Sequence, residues 1–248
     1  MKFETWNKWY NRILNDFNFS KDDDEKSARY LNESLEDTGA YSFDEFLDYV
    51  NSLNNHKELN QNQLFVVFGA GPSLKENIKC IQEEFDIENY ISIAADGATT
   101  ALLEEDLVPD IVVTDLDGKL EDLLSANEKG SFFVLHAHGN NLEEINKYAR
   151  RFKKVLGTTQ SFPHGNLYNL GGFTDGDRAV FLAIELGAKK IILAGMDFGD
   201  MTTSYSRPNI TSKIAKADEI KQKKLKYAEK LIDWISNNEN AEIINLSS

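Results

Sequence analysis

From Leu64 onward the chain repeats one texture: a short apolar run, often β-branched, followed by a segment of helical period. The runs fall at 64–68, 90–94, 111–114, 132–136, 154–156, 190–194 and 242–246. Segments long enough for a helix lie between most of them, at 73–85, 99–105, 119–128, 142–152 and 176–186. Strands alternating with helices in this way predict an α/β fold, a mostly parallel sheet with helices on both faces. The near-continuous apolar character of the runs agrees with strands buried on both sides. A long, charged, amphipathic helix is expected over 214–237.

Residues 1–60 have a different texture, with no convincing strand and Gly39 as their single glycine. Phe3, Trp6, Trp9, Tyr10, Ile13, Leu14 and Phe17 fall at helical spacing and predict an amphipathic helix. Ser20 or Asp22 could cap a second helix over 26–36. Ser42 followed by Glu45 has capping-box spacing and would start a third, through Phe46, Tyr49, Val50 and Leu53. The segment reads as a helical appendage whose aromatic stripe packs on the main domain. A linker over 54–62, with His56 exposed in it, would join the helical segment 1–60 to an α/β catalytic domain 61–248. A chain of 248 residues, 41% of them hydrophobic, is ample for such a core.

In a parallel sheet, ligands bind at the carboxyl ends of the strands. Six successive strand ends here carry Gly, Asp, His or Asn: GAGPS at 69–73, Asp96-Gly97, DLDG at 115–118, HAHGNN at 136–141, GGFTDGDR at 171–178 after a long connection, and GMDFG at 195–199. The helix-to-strand turns look ordinary by comparison, as in LGAK at 186–189. One functional face is therefore expected, whatever any single motif means.

The stretch PDIVVTDLDG, 109–118, carries the most chemistry. In an extended segment the i, i+2 spacing of Asp115 and Asp117 puts both carboxylates on one face, and Gly118 lets the chain turn away. Converging carboxylates are unfavourable unless a cation lies between them, and Mg²⁺ is commonly held by one or two carboxylates plus substrate phosphate oxygens. Asp115 and Asp117 are thus candidate catalytic and metal-binding residues of a diphosphate-transferring site; a solvated Asp-rich turn would have the same letters.

In GAGPS, Gly69 and Gly71 would admit a ligand to the backbone, and Ser73 with the free amides of the helix start could bind phosphate. The full dinucleotide fingerprint fails, because position 74 is Leu. Asp96-Gly97 could ligate metal or ribose, or Asp96 could cap the next helix. His136 and His138 lack a third soft ligand for zinc; His136 suits a buried hydrogen bond, and His138, with Asn140, a phosphate or loop contact. Thr174, Asp175, Asp177 and Arg178 make a candidate substrate loop, in which an acid would pair with the amino and ring NH groups of a heterocycle, though Asp177 and Arg178 could simply pair or cap. Asp197 is a further candidate substrate contact on the same edge. Lys213, Lys216, Lys221, Lys223, Lys224 and Lys226 form a locally basic run, ordinarily a solvated face, from which one or two lysines could neutralise phosphate.

A net charge of −14 argues against nonspecific binding to nucleic acid or an anionic membrane. An anionic substrate would need a metal to offset the repulsion. The single cysteine, Cys80, precludes an internal disulfide, fits a reducing cytoplasm and falls in a helical pattern as a core residue. No signal-like segment opens the sequence, and no apolar run is long enough to span a membrane.

The ordered set GAGPSL, AADGAT, PDIVVTDLDG, HAHGNN, GGFTDGDRA and GMDFG resembles the archaeal 6-hydroxymethyl-7,8-dihydropterin diphosphokinases, part of a wider group that includes accessory factors of flagellin glycosylation. More distantly, ADG, PD…DLDG and GGFTDGDRA are similar to thiamine diphosphokinase, so a core like that enzyme's is implied. The resemblance covers about residues 64–200 and leaves the N-terminal helices unexplained. It implies Mg²⁺-dependent transfer of the β,γ-diphosphate of ATP to a hydroxymethyl group, with AMP released, in folate or methanopterin synthesis. Asp115 and Asp117 would be metal ligands, with Asp96 beside them in the nucleotide–metal site. One position departs: the family pattern has Asp within the segment that here reads HAHGNN, where this chain has Asn140 and Asn141. ATP and a pterin are the expected small-molecule partners, with a homodimer left open. Alternatives are a thiamine acceptor, a glycan-transfer accessory protein, or a nucleotide-binding module without catalysis.

Overall fold

The computed structural model describes residues 1–56 and 63–247, side chains of 54–56 excepted. In chain order the elements are α1 (Phe3–Phe17), α2 (Lys21–Glu36), α3 (Phe43–His56), β1 (Leu64–Phe68), α4 (Leu74–Glu84), β2 (Ile91–Ala95), α5 (Ala98–Leu103), β3 (Ile111–Thr114), α6 (Leu120–Glu128), β4 (Phe132–Ala137), α7 (Leu142–Tyr148), β5 (Val155–Thr159), β6 (Leu167–Tyr168), α8 (Asp175–Glu185), β7 (Lys190–Ala194), β8 (Met201–Thr203), β9 (Ile214–Lys216), α9 (Glu219–Asn238) and β10 (Glu242–Asn245).

Eight strands form one sheet in the order β10-β7-β1-β2-β3-β4-β5-β6, and every pairing in it is parallel. The order reverses at β1: β2 to β6 extend to one side, β7 and β10 to the other. A crevice is expected at that switch point, above the carboxyl ends of the strands.

Side chains alternate between faces along each strand, and both faces are apolar. Phe65, Val67, Ile93, Val113, Val134 and Leu193 share one core with α1, α3, α8 and α9. Val66, Phe68, Ala94, Val112, Phe133 and Leu135 share the other with α2 and α4 to α7. The N-terminal helices therefore straddle the sheet. Trp6, Tyr10, Ile13, Phe46 and Val50 lie in the first core, whereas Ala28, Leu31 and Leu35 lie in the second. The chain passes round the β5–β6 margin, where the Tyr41 amide donates to the Val155 carbonyl at 2.8 Å and the Tyr168 hydroxyl accepts from the Phe43 amide at 3.0 Å.

The seven expected strands are present. The second N-terminal helix starts earlier than its apolar pattern suggests, because Ser20 Oγ accepts from the Asp23 amide at 3.2 Å and caps it. The Ser42–Glu45 capping box is formed, with the Ser42 amide donating to Glu45 Oε2 at 2.8 Å. The helix expected from 214 begins only at Glu219, since Asp218 caps it by accepting from the Lys221 amide at 2.7 Å. Residues 214–216 instead pair antiparallel with β8 in a hairpin unforeseen from sequence, as was the two-residue β6. Of the expected linker, 54–56 finish α3; the rest, the 60/61 boundary and the His56 side chain lie outside the described residues.

Candidate active site

The carboxyl ends of the strands surround a cavity of about 550 Å³. Of the candidate metal, nucleotide and substrate residues, all line it except Ser73 and Asp177. Ser73 Oγ and the Ser73 amide both donate to Asp197 Oδ2, at 2.8 and 3.1 Å, so the anion at the start of α4 is the protein's own Asp197. Asp177 is fully buried, its oxygens accepting from the Phe173 amide at 2.6 Å and the Thr174 amide at 2.7 Å. It forms a capping box with Thr174 at the start of α8, and its carboxylate does not reach the cavity.

The centre of the site grows from β3. Beyond Thr114 the chain is not extended: Leu116 adopts φ 69°, so Asp115 and Asp117 converge through a left-handed turn and not by strand alternation. Thr114 Oγ1 stabilises that turn by accepting from the Leu116 amide at 2.8 Å and donates its proton to Asp96 Oδ2 at 2.6 Å. Asp96 itself has φ 21° and is 5% exposed. A left-handed conformation at two non-glycine residues is unfavourable by roughly 1–3 kcal/mol each, and such residues cluster at functional sites. The glycine at 118 has a reason other than turning: a Cβ there would lie 1.7 Å from Asp96 Oδ1. Gly69, Gly71 and Gly97 are likewise closed in by the protein itself, against Met196, Asp197 and the Tyr205 carbonyl.

Asp175, at the start of α8, completes a group with Asp96, Asp115 and Asp117 in which one oxygen from each lies within 4.8 Å of the others. Two of the four are held by neighbouring basic side chains. His138 Nε2 is 2.8 Å from Asp115 Oδ2, and Arg178 NH1 donates to Asp175 Oδ1 at 3.0 Å. The His138 loop is tied down by Asn141, whose side-chain amide donates to the Asp115 and His136 carbonyls at 2.8 and 2.7 Å and accepts from the His138 amide at 3.0 Å. His136 is buried and bonded through Nδ1 to Thr158 Oγ1 at 3.0 Å. Asn140 faces the cavity and is exposed. The fourth acid therefore comes from α8, not from the loop where the family pattern has Asp.

Crowding shows in the ionisation of the group. Burial, then the neighbouring Asp115 charge, pushes Asp117 up to about 6. Asp96 is raised well above the usual carboxylate range by burial and by Asp117, and Asp175 by burial and by Asp115. Burial would raise Asp115 too, but the hydrogen bond and charge of His138 and the charge of Arg178 outweigh it and hold Asp115 well below that range. Asp96 Oδ1 is buried and has no hydrogen-bond partner. Four carboxylates with such an orphaned oxygen fit a hard divalent cation bound through oxygen, the chemistry of Mg²⁺. Lys221 and Lys224, from the first two turns of α9, also line the cavity. Burial and the nearby Lys224 lower the Lys221 ammonium, while Asp117 and Asp175 act in the opposite sense. Phe19, Met201 and Ile220 give the lining exposed apolar surface.

A family profile described as 6-hydroxymethylpterin diphosphokinase MptE-like matches residues 40–203. The chain belongs to this family. The MptE-like match spans β1 to β8 and so includes all four clustered acids. Three archaeal relatives are named 6-hydroxymethyl-7,8-dihydropterin pyrophosphokinase. That of Methanothermobacter thermautotrophicus is 51% identical over 98% of this chain and 99% of its own length. That of Methanocaldococcus jannaschii is 46% identical over 98% and 100%, and that of Pyrococcus furiosus 43% over 100% of both. A glycosyltransferase structure, MAf from Magnetospirillum magneticum AMB-1, aligns with a TM-score of 0.48 and 17% identity over 75% of this chain and 34% of that one.

Sequence reasoning gave Asp175 a substrate role and missed its place among the acids. Thr174 and Asp177 have capping-box spacing, and that signal would have withdrawn Asp177 and left Asp175 facing the site. Asp23, Asp24 and Gln160, which also line the cavity, were missed altogether. Among the described residues, no helix is long and apolar enough to cross a membrane.

Proposed function

We propose that this MptE-like protein transfers diphosphate from ATP to the hydroxymethyl group of 6-hydroxymethyl-7,8-dihydropterin. The observation that carries this reading is the cluster of Asp96, Asp115, Asp117 and Asp175 at the cavity's centre, in a chain whose full-length relatives bear that enzyme's name. The substrate hydroxyl oxygen attacks the β-phosphorus, the bond from that phosphorus to the oxygen bridging the α- and β-phosphates breaks, AMP departs, and the hydroxyl proton is released. Such transfer depends on positioning and charge neutralisation more than on a strong base.

The four carboxylates would hold Mg²⁺, which when bound supplies charge neutralisation for the triphosphate. His138 and Arg178 orient Asp115 and Asp175. Lys221 and Lys224 add positive charge for phosphate in an otherwise acidic cavity. Gly69, Gly71, Gly97 and Asn140 contribute lining for the nucleotide, and Thr174 and Asp197 for the substrates, while Phe19, Met201 and Ile220 suit the flat faces of the two heterocycles. Reliance on ATP and a pterin fits a cytoplasmic enzyme. The test is incubation with ATP, Mg²⁺ and the pterin, followed by phosphorus NMR, with thiamine as a comparison acceptor. AMP and a pterin diphosphate are expected; ADP, or turnover with thiamine alone, overturns the reading.

A further inference from the structure

Asp24 is an acid on the buried side of α2, far from the strand ends in sequence, and only 2% exposed. It accepts from three groups. Tyr10 OH donates to Oδ2 at 2.6 Å, the Gly139 amide donates to Oδ1 at 2.6 Å, and Gln160 Nε2 lies 3.0 and 2.9 Å from the two oxygens. Two arms lead from it to the acid cluster. The first runs through Gly139 to the adjacent His138, which holds Asp115. The second runs through Gln160, whose Oε1 accepts from Arg178 NH2 at 3.2 Å, and Arg178 holds Asp175. Gln160 and Arg178 are 4% and 7% exposed, so neither exchanges freely with water.

We propose that Asp24, from the N-terminal helices, is a positioning residue of the cation site, aligning Asp115 and Asp175 together through these two arms. The inference rests on the reading that the four acids hold a divalent cation. Its physical basis is polarity. A carboxylate only accepts, so Asp24 compels Gln160 to present Nε2 toward α2 and Oε1 toward the guanidinium, which only donates. A single buried amide thereby relays the placement of α2 to Arg178. Direct partners of metal ligands, the place His138 and Arg178 hold here, typically change metal affinity or activity by about 10- to 100-fold when altered, and Asp24 acts one step behind them.

Polarity also supplies a test that general loosening of the fold would not pass. In Asp24→Asn, Oδ1 stays with the Gly139 amide and with Gln160 Nε2 at 3.0 Å, whereas the new NH2, in place of Oδ2, faces Nε2 at 2.9 Å, donor against donor, and obliges the Tyr10 hydroxyl to accept. Rotating Gln160 relieves that clash but turns Nε2 toward Arg178 and creates another. Adding Gln160→Glu resolves both, because the carboxylate introduced at 160 accepts from the new amide at 24 and from Arg178, while the net charge stays that of the wild type. The measurement is Mn²⁺ binding to the full chain, followed by the EPR signal of the free ion, with a thermal melt of each variant. Asp24→Asn is expected to weaken Mn²⁺ by about 10-fold, the low end for a direct partner of a ligand, and the double variant to recover most of that loss. Gln160→Met leaves the Tyr10 and Gly139 bonds to Asp24 intact and cuts the second arm alone; it should weaken Mn²⁺ in the same direction even if Asp24→Asn does not fold. Wild-type affinity in Asp24→Asn, or in Gln160→Met, overturns the inference, as does a double variant no better than Asp24→Asn. Wild-type protein that takes up no Mn²⁺ overturns the cation site itself, and the inference with it.

Discussion

Replacing Gly118 by alanine tests how the acid cluster is built. Gly118 lies outside the left-handed region, so the substitution adds a Cβ without backbone strain. That Cβ would sit 1.7 Å from Asp96 Oδ1 and 2.8 Å from its Cγ, whereas ordinary contact begins at 3.4 Å. One group must retreat by about 1.7 Å. Asp96 is buried and anchored by Thr114 Oγ1 at 2.6 Å, and a shift of that size breaks the anchor. Overpacking and the lost hydrogen bond together cost about 3 kcal/mol. For a chain of this length that is a fall in melting temperature of roughly 6–12 °C. Asp96 also leaves its place beside Asp115, Asp117 and Asp175, so Mn²⁺ affinity should fall by at least about 10-fold. Combining the change with Asp96→Ala removes the clash: the melting temperature should return to that of Asp96→Ala alone, while metal binding stays weak. A Gly118→Ala protein with wild-type melting and wild-type Mn²⁺ affinity would refute this account of the glycine.

Further outcomes are expected. Metal binding requires ionised carboxylates, and Asp117 is raised to about 6 with Asp96 and Asp175 also raised, so Mn²⁺ affinity should climb as pH rises through about 6; calorimetry across that range with a flat response would count against the cluster. Asp117 binds its proton more tightly folded than unfolded, so the stability it contributes in the metal-free protein is present below the unfolded value of about 4 and lost as pH rises through about 6; Asp96 and Asp175 act in the same direction. Melts from pH 4 to 7 should show added metal recovering that loss. Asp175→Asn should abolish turnover, whereas Asn140→Asp should change the Mg²⁺ requirement by less than about 3-fold, since the fourth carboxylate is already supplied by α8. The reverse ranking in Mg²⁺ titrations would return the loop to the metal site. A chain beginning at Gln63 should aggregate, because it uncovers core partners of Trp6, Tyr10, Phe46 and Leu31 on both faces of the sheet; a soluble, monodisperse product would contradict that.

Much of this architecture was legible because its signals are local. Apolar runs marked the seven longer strands of the sheet, and their alternation with helical segments gave the parallel sheet and the edge that carries the cavity. Residues 214–216 were misread because Ile214 extends the period of α9, while the hairpin partner that claims them is 201–203, a pairing no local period reports. Asp115 and Asp117 announced themselves by spacing, though their convergence comes from a left-handed Leu116 that spacing does not encode. Asp24 was hidden in the run DDD, which reads as the ordinary acidic first turn of a helix. Its phase was informative nonetheless: Asp24 stands on the same stripe as Ser27, Ala28, Leu31, Ser34 and Leu35, all buried, and an acid on that stripe has to find partners. The partners themselves, Gly139 and Gln160, are set by tertiary contacts.

The straddling of the sheet by the N-terminal helices bears on how the molecule is made. Helix α1 is translated early, yet Trp6 donates to a carbonyl 154 positions downstream, and Asp16 accepts from the Tyr227 hydroxyl 211 positions away. Contacts of such span raise contact order, which slows folding, and neither can form until most of the chain has left the ribosome. Until then the aromatic stripe of α1 has no surface to cover. During synthesis the apolar stripes of these amphipathic helices await the sheet for most of the chain's length, and the packing that covers them also brings Asp24 against Gly139 and Gln160.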